Sequence, residues 1–469
     1  MDFTKGNISK SIFIFSIPIV LGNLFQQMYS LVNSAFVGNF CSIEELAAVG
    51  SVYPVVFFIT SLILGIGNGG SVLVSHYFGA KDYNKLPQII TTFYLFFIFL
   101  GIIVCGLSIV FADNIFSFFD MTPQVHYFAK TYFQIYMFGM FFSVVFHSVI
   151  SILRGLGDSV TGLYFLIPAN IINVFLSYLF IVKFHWGVVG SAWASFISQF
   201  LSFLSIALFY RKHIREFKRI EFKQELSILK EIIHLGLPTG IQQSIVSLTQ
   251  VLLLFLVTTF STNAIAGYSA AVRIESIALL LVLNITQSLT SFVGTNYGAK
   301  QYDRCRKGLK ASVKIIFLVG LATLLVFVCF PSSLMALFTS DSEVIRIGKE
   351  YIVIDGLFWV LFGVMMCFTA YYRGLGYANI TMVISFLTLV LVRFPLAWYL
   401  SKTSLQILGI WISAPVTWLL TIIIYCLIYR KANTKILLQN KKSKKNNTHY
   451  KKKYYFCNQY ARRQKYIIS

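Results

Sequence analysis

Charge is scarce in this chain: Asp, Glu, Lys and Arg make up 12% of its 469 residues, about half the share of a soluble domain. With 57% hydrophobic residues and a mean hydropathy of +0.74, the scarcity excludes a soluble globular protein and leaves a polytopic membrane protein. Alternation of apolar and polar residues over about 10 positions, the mark of a membrane barrel, is also missing; the apolar runs are long and continuous, so the fold class is all-α. Seven cysteines stand scattered, with neither paired nor metal-ligand spacing. That excludes a disulfide framework or a zinc site and makes them small core residues. No G-x-x-x-x-G-K-[ST] sequence occurs, so a built-in ATPase is excluded. Clusters of His, Asp or Glu at helix ends are absent too, which argues against a membrane enzyme.

Basic residues, by contrast, outnumber acidic ones 39 to 17, for a net charge of +22. Their placement speaks against nucleic acid as a partner. From Lys431 on, the tail holds twelve Lys or Arg and no acid, and it is read as a disordered basic extension able to touch anionic lipid headgroups. Most of the rest falls in alternate loops. One long charged interruption, Arg211 to Lys230, divides the apolar part of the chain. What precedes it recurs after it. The GAK motifs at Gly79 and Gly298 lie 219 positions apart (298 − 79), and so do the RGLG motifs at Arg154 and Arg373 (373 − 154). Pro18 and Pro238 differ by 220. Two motifs in one register predict a duplicated membrane protein.

The apolar runs predict twelve helices, at about 11–38, 47–77, 88–112, 127–152, 159–183, 187–210, 231–260, 264–296, 308–331, 348–372, 378–401 and 405–430. The first is expected to be an uncleaved membrane helix rather than a signal peptide. Six helices on each side of the interruption give parallel repeats, two six-helix lobes related by a pseudo-two-fold along the membrane normal. The expected division is an N-lobe over 1–210, a hinge loop over 211–230, a C-lobe over 231–430 and a tail over 431–469. Lys5, Lys10, Lys81, Lys85, Arg154, the central loop, Lys300 to Lys310, Arg373 and the tail share one side. Glu44, Glu45, Asp113, Asp120, Asp341 and Glu343 share the other. The basic side is expected to be cytoplasmic, with both termini inside the cell membrane.

Polar groups facing hydrocarbon are costly, so stripes of them mark a cavity or a helix contact. The first helix carries Gln26, Ser30 and Asn33, and the fifth carries Asn170, Asn173 and Ser177 just after Pro168, where a kink is expected. The sixth carries Ser191, Ser195, Ser198 and Ser202, the seventh Gln243, Ser247 and Gln250, and the eighth Asn284, Ser288, Ser291 and Thr295. Ionisable groups inside the apolar runs are few: Arg273 and Glu275 near the start of the eighth helix, Asp355 in the first turns of the tenth, Arg393 in the eleventh and His147 in the fourth. The glycines of GIGNGG, Gly65 to Gly70, are read as a close-packing surface or a flexible kink.

FQQMYSLVNSAFVG in the first helix, ELAAVG entering the second, the GAK and RGLG motifs, and GVVGSAWAS at the sixth occur in this order. Together they resemble the multidrug and toxic compound extrusion (MATE) transporters over about residues 8 to 430. The resemblance implies twelve helices in two lobes around a cleft. It also implies export of small organic compounds, often cationic and amphipathic, in exchange for Na⁺ or H⁺, by a cofactor-free monomer that rocks between two states. Members usually have Asp where this chain has Asn33 and Ser177, and Thr where it has Ser195. Those departures leave neutral oxygens near Asn33, Asn173 and Ser195 that can coordinate Na⁺ but cannot carry a proton, so that proton coupling falls to Glu275, Asp355 or His147. The site residues the sequence points to are Gln26, Asn33, Asn173, Ser177, Ser195, Gln243, Glu275 and Asp355. The alternative is a related transporter that moves a neutral or lipid-linked solute with weak or absent ion coupling.

Overall fold

The computed structural model describes residues 1–119, 121–213 and 225–430. The tail from Lys431, the middle of the charged interruption and Asp120 lie outside them, as does the Ser30 side chain. Among the described residues, twelve helices are long and apolar enough to cross a membrane. They are α1 Ile8–Phe40, α2 Ile43–Gly79, α3 Leu86–Val110, α4 Pro123–Gly155, α5 Thr161–Lys183, α6 Gly187–Phe209, α7 Leu226–Thr258, α8 Thr262–Gly298, α9 Tyr302–Cys329, α10 Ser342–Gly374, α11 Ala378–Ser401 and α12 Gln406–Arg430. Met1–Trp418 forms one compact unit; the described part of the second, from Leu419, is the end of α12.

Each helix lies where an apolar run predicts one, but several begin earlier than the run does. Polar caps and amphipathic turns carry a helix beyond the hydrocarbon, and hydropathy does not register them. For α10 the cause is Asp341, whose Oδ1 accepts from the backbone N–H of Glu343 (2.9 Å) and Val344 (3.0 Å). For α2, Ser42 and Glu45 form a capping box. The earlier start of α10 moves Asp355 from its first turns to between three and four turns inside. Through Pro168 α5 stays α-helical, and it becomes π-helical only over Tyr178–Lys183; α11 does the same over Phe386–Arg393.

The repeat reaches down to backbone conformation. Lys81 and Lys300, both at φ 58°, close the two GAK turns in the left-handed region, and Gly157 (φ 80°) and Gly376 (φ 88°) close the two RGLG turns. Gly79 of α2 abuts the carbonyl of Thr295 in α8, while Gly298 of α8 abuts the carbonyl of His76 in α2. These are one contact and its symmetry copy, since 295 − 76 is again 219. The GIGNGG glycines serve close packing: Gly65 lies against Gly240 and Gly69 against Leu235 and Gly236, so α2 and α7 meet backbone to backbone. A further bridge comes from the segment before α1. Phe3 is fully buried between Phe15 and Phe292, with ring centroids 4.9 and 5.5 Å away. Arg304 in α9 donates to the carbonyls of Phe3 (2.9 Å), Lys5 (3.0 Å) and Gly6 (3.2 Å).

Candidate functional site

Three of the polar stripes of the first half converge. Asn33 on α1 donates from Nδ2 to Asn173 Oδ1 on α5 at 2.6 Å, and Asn173 Nδ2 donates to Ser198 Oγ on α6 at 2.9 Å. Ser198 donates onward to the Ser195 carbonyl at 3.0 Å. Asn173, Ser177, Ser195 and Ser198 are all buried. The chain of bonds leaves three polar atoms over: Asn33 Oδ1, Ser177 Oγ and Asn170 Nδ2 are buried with no partner among the described residues. Two of them are oxygens, and an unpartnered buried oxygen demands either water or a cation. Nothing in this cluster can take up and release a proton. Gln26 sits two turns nearer the basic end of α1, on a cavity wall with His147 and Arg154.

The second half carries ionisable groups instead. Tyr351 on α10 donates from its hydroxyl to Glu275 Oε2 on α8 at 2.6 Å. Asp355, one turn on from Tyr351, is buried, and its Oδ2 has no partner among the described residues. Tyr268 stacks on Trp411 with centroids 5.3 Å apart, and Tyr351 meets the same indole edge-on at 4.9 Å. The aromatic wall fixes the Tyr351 ring and hence the hydroxyl that holds Glu275. Asp355 lies within electrostatic range of Glu275, and the charge of Arg393 on α11 acts on both. Arg393 approaches neither within ion-pair distance among the described residues, and its Nε is left without a partner. A buried and a half-buried carboxylate inside membrane-spanning helices are groups able to take up a proton or a hard cation.

Gln243 does not join this cluster through any hydrogen bond of its side chain among the described residues. Its neighbour Gln242 is the buried one, bonded to Arg373, Thr381 and Ser385. A polar side chain one position away on a helix points about 100° elsewhere, and spacing alone cannot choose between adjacent glutamines. Also unforeseen were Tyr351 and the pair Asn68 and Gln287. Tyr351 stands four residues before Asp355, on the same helix face. Gln287 Nε2 donates to Asn68 Oδ1 at 3.1 Å, and their separation of 219 (287 − 68) was legible in the repeat register.

Direct bonds join the two sets of helices at Asn23 and Asn284 (2.7 Å), at Asn68 and Gln287, and at His76 Nε2 and the Gly374 carbonyl (2.8 Å). Together with the glycine contacts and the Phe3 anchor, these fall in the half of the helices nearest the basic loops.

The MatE family model matches the chain twice, over residues 18–179 and 238–399. Both blocks carry the 220-residue offset of Pro18 and Pro238 (238 − 18). The probable multidrug resistance protein YoeA of Bacillus subtilis is 27% identical over 450 residues, covering 93% of this chain and 97% of that protein. Among solved structures, an outward-facing multidrug resistance MATE transporter of the MOP superfamily superposes with a TM-score of 0.86 at 24% identity, over 92% of this chain and 97% of its own. A MOP superfamily transporter from Pyrococcus furiosus, described as having a binding pocket of reversed polarity, reaches 0.85 at 24% identity with the same coverage. With two family-model matches in the register of its own internal repeat, this multi-pass membrane protein belongs to the MatE family and is a transporter rather than an enzyme.

Proposed function

We propose that the protein exports small organic compounds, cationic and amphipathic ones among them, across the cell membrane by antiport with H⁺ or Na⁺. The pair Glu275 and Asp355 carries this reading, because these are carboxylates inside membrane-spanning helices, Asp355 buried and Glu275 half-buried, with no guanidinium in ion-pair contact among the described residues. The names of the relatives support a drug exporter. In this reading the basic face is cytoplasmic, the six helices before and the six after residues 214–224 act as two lobes, and the monomer alternates by tilting one lobe against the other. The contacts concentrated at the basic end support reading the described state as one closed toward the cytoplasm.

The coupling ion acts in the second half. A proton or Na⁺ on Glu275 and Asp355 would neutralise the pair, and its release would restore the field that draws Arg393 and a cationic substrate. The first half, with Asn33, Asn173, Ser177 and Ser195, offers oxygens only, and so binds Na⁺ or the polar groups of a substrate without titrating. The acid-poor first half also favours a second reading, in which a neutral or lipid-linked solute moves with weak ion coupling. Purified protein in liposomes, under imposed Na⁺ or H⁺ gradients and with a panel of dyes, separates them. Asp355→Asn is expected to abolish gradient-driven export and to leave substrate binding within about threefold. Gradient-driven export at the wild-type rate in Asp355→Asn would overturn the role of the pair.

A further inference from the structure

The two halves treat the same arginine differently. In the second half Arg373 donates from Nη2 to Gln242 Oε1 at 3.0 Å, Thr381 Oγ1 donates to the same oxygen at 3.1 Å, and Gln242 Nε2 donates to Ser385 Oγ at 2.8 Å. The amide is buried at 4% exposure and all its bonds are made inside the protein. Under the 219 offset, Arg373 corresponds to Arg154, Thr381 to Gly162 and Ser385 to Leu166; under the 220 offset of Pro238 and Pro18, Gln242 corresponds to Gly22. The first half keeps the cation and lacks both the amide that Arg373 bonds and the two hydroxyls that orient that amide.

A cavity of about 30 Å³ stands in place of the missing groups, lined by Gly22, Gly162, Leu166, Arg154, Gln26 and His147. Arg154 has no side-chain hydrogen bond or ion pair among the described residues. Asp158 also borders the cavity but is committed to the turn that leads into α5: its Oδ1 accepts from the N–H of Val160 (2.9 Å) and Thr161 (3.0 Å), and its Oδ2 from the Thr161 hydroxyl. A guanidinium offers five N–H donors and no acceptor. Arg154 is half-buried on the cavity wall, with no acid in ion-pair contact among the described residues.

We propose that this cavity binds one small anion, of halide or carboxylate size, on the Arg154 guanidinium, with the Gln26 amide as a further donor. The anion does for Arg154 what Gln242 does for Arg373. The volume sets the class: about 30 Å³ holds two or three waters or one small ion, and no organic cargo. The site therefore stands apart from the transported compound, and its readout is binding and stability rather than transport.

Purified full-length protein is melted at constant ionic strength in sodium chloride, in formate and in gluconate, and bromide-soaked crystals are searched for anomalous signal. Chloride or formate should raise Tm over gluconate by about 2 °C or more, and bromide should appear beside Arg154. Gly22→Gln restores the second half's own partner. Its Cβ would meet only the flexible ends of Leu166 (3.0 Å) and Leu163 (3.5 Å), and it should erase both the anion-dependent shift and the bromide peak. Arg154→Gln should erase them as well; should it fail to fold, Gly22→Gln alone decides. A shift that persists in Gly22→Gln, or a wild-type protein with neither shift nor bromide peak, overturns the proposal, the second outcome meaning that the cavity holds only water.

Discussion

At the scale of single residues, the two halves divide their chemistry by what Asn33 and Asp355 can and cannot do. An amide has no protonation change between pH 4 and 10, so the Asn33–Asn173–Ser198 chain keeps one hydrogen-bonding state across the physiological range. A carboxylate at position 33 would add a titrating group beside Asn173 and Ser177. Asn33→Asp is therefore expected to superimpose a second pH-dependent step on the transport profile, seen as a steeper or biphasic rate against pH in liposomes. An unchanged profile would mean that position 33 does not face the ion path. Asn33→Ala removes the donor to Asn173 and leaves its Oδ1 unpaired, at a cost of about 1–3 kcal/mol. Thermal melting measures that loss.

At the scale of elements, glycine is what lets α2 lie against both α7 and α8. Gly79→Val puts a branched side chain against the Thr295 carbonyl, and neither backbone can yield without opening the seam. The variant is expected to fold but to lose closure at the basic end, so that a cysteine at Asn68 reacts several-fold faster with a thiol reagent applied from that side. Equal reactivity with and without Gly79→Val would show that the seam absorbs the bulk. Much of this architecture was legible beforehand. Twelve apolar runs, two motifs at one spacing and the Lys and Arg bias give number, order and repeat, because burying apolar length is a property of a segment alone. The pairing of side chains is not. Asn33 and Asn173 belong to stripes visible in the sequence, yet the choice of Gln242 over Gln243, and the approach of Tyr351 to Glu275, depend on the rotation of one helix against another. Departures from α geometry at Tyr178–Lys183 and Phe386–Arg393 carry no composition signal at all. The proline that suggests a kink, Pro168, stays within regular helix.

At the scale of the molecule, parallel repeats demand that equivalent loops lie on the same side. Cysteines at Lys81 and Arg306 should resist an impermeant thiol reagent applied to intact cells, while cysteines at Glu44 and Asp341 react. Reaction of the first pair from outside would reverse the orientation. The burial of Phe3 against Phe292, under the clamp of Arg304, has a consequence in time. The anchor joins residues 301 positions apart (304 − 3), and at about 5–20 residues per second roughly 15–60 s of translation separate them. For that interval the leading segment has only its first-half contacts, Phe3 on Phe15 and the Met1 amine on the Gly157 carbonyl (2.7 Å), and lacks both Phe292 and the Arg304 clamp. The last-made half thus fastens the first-made residues, so a chain that stops before α8 inserts its early helices but never completes the seal at the basic end.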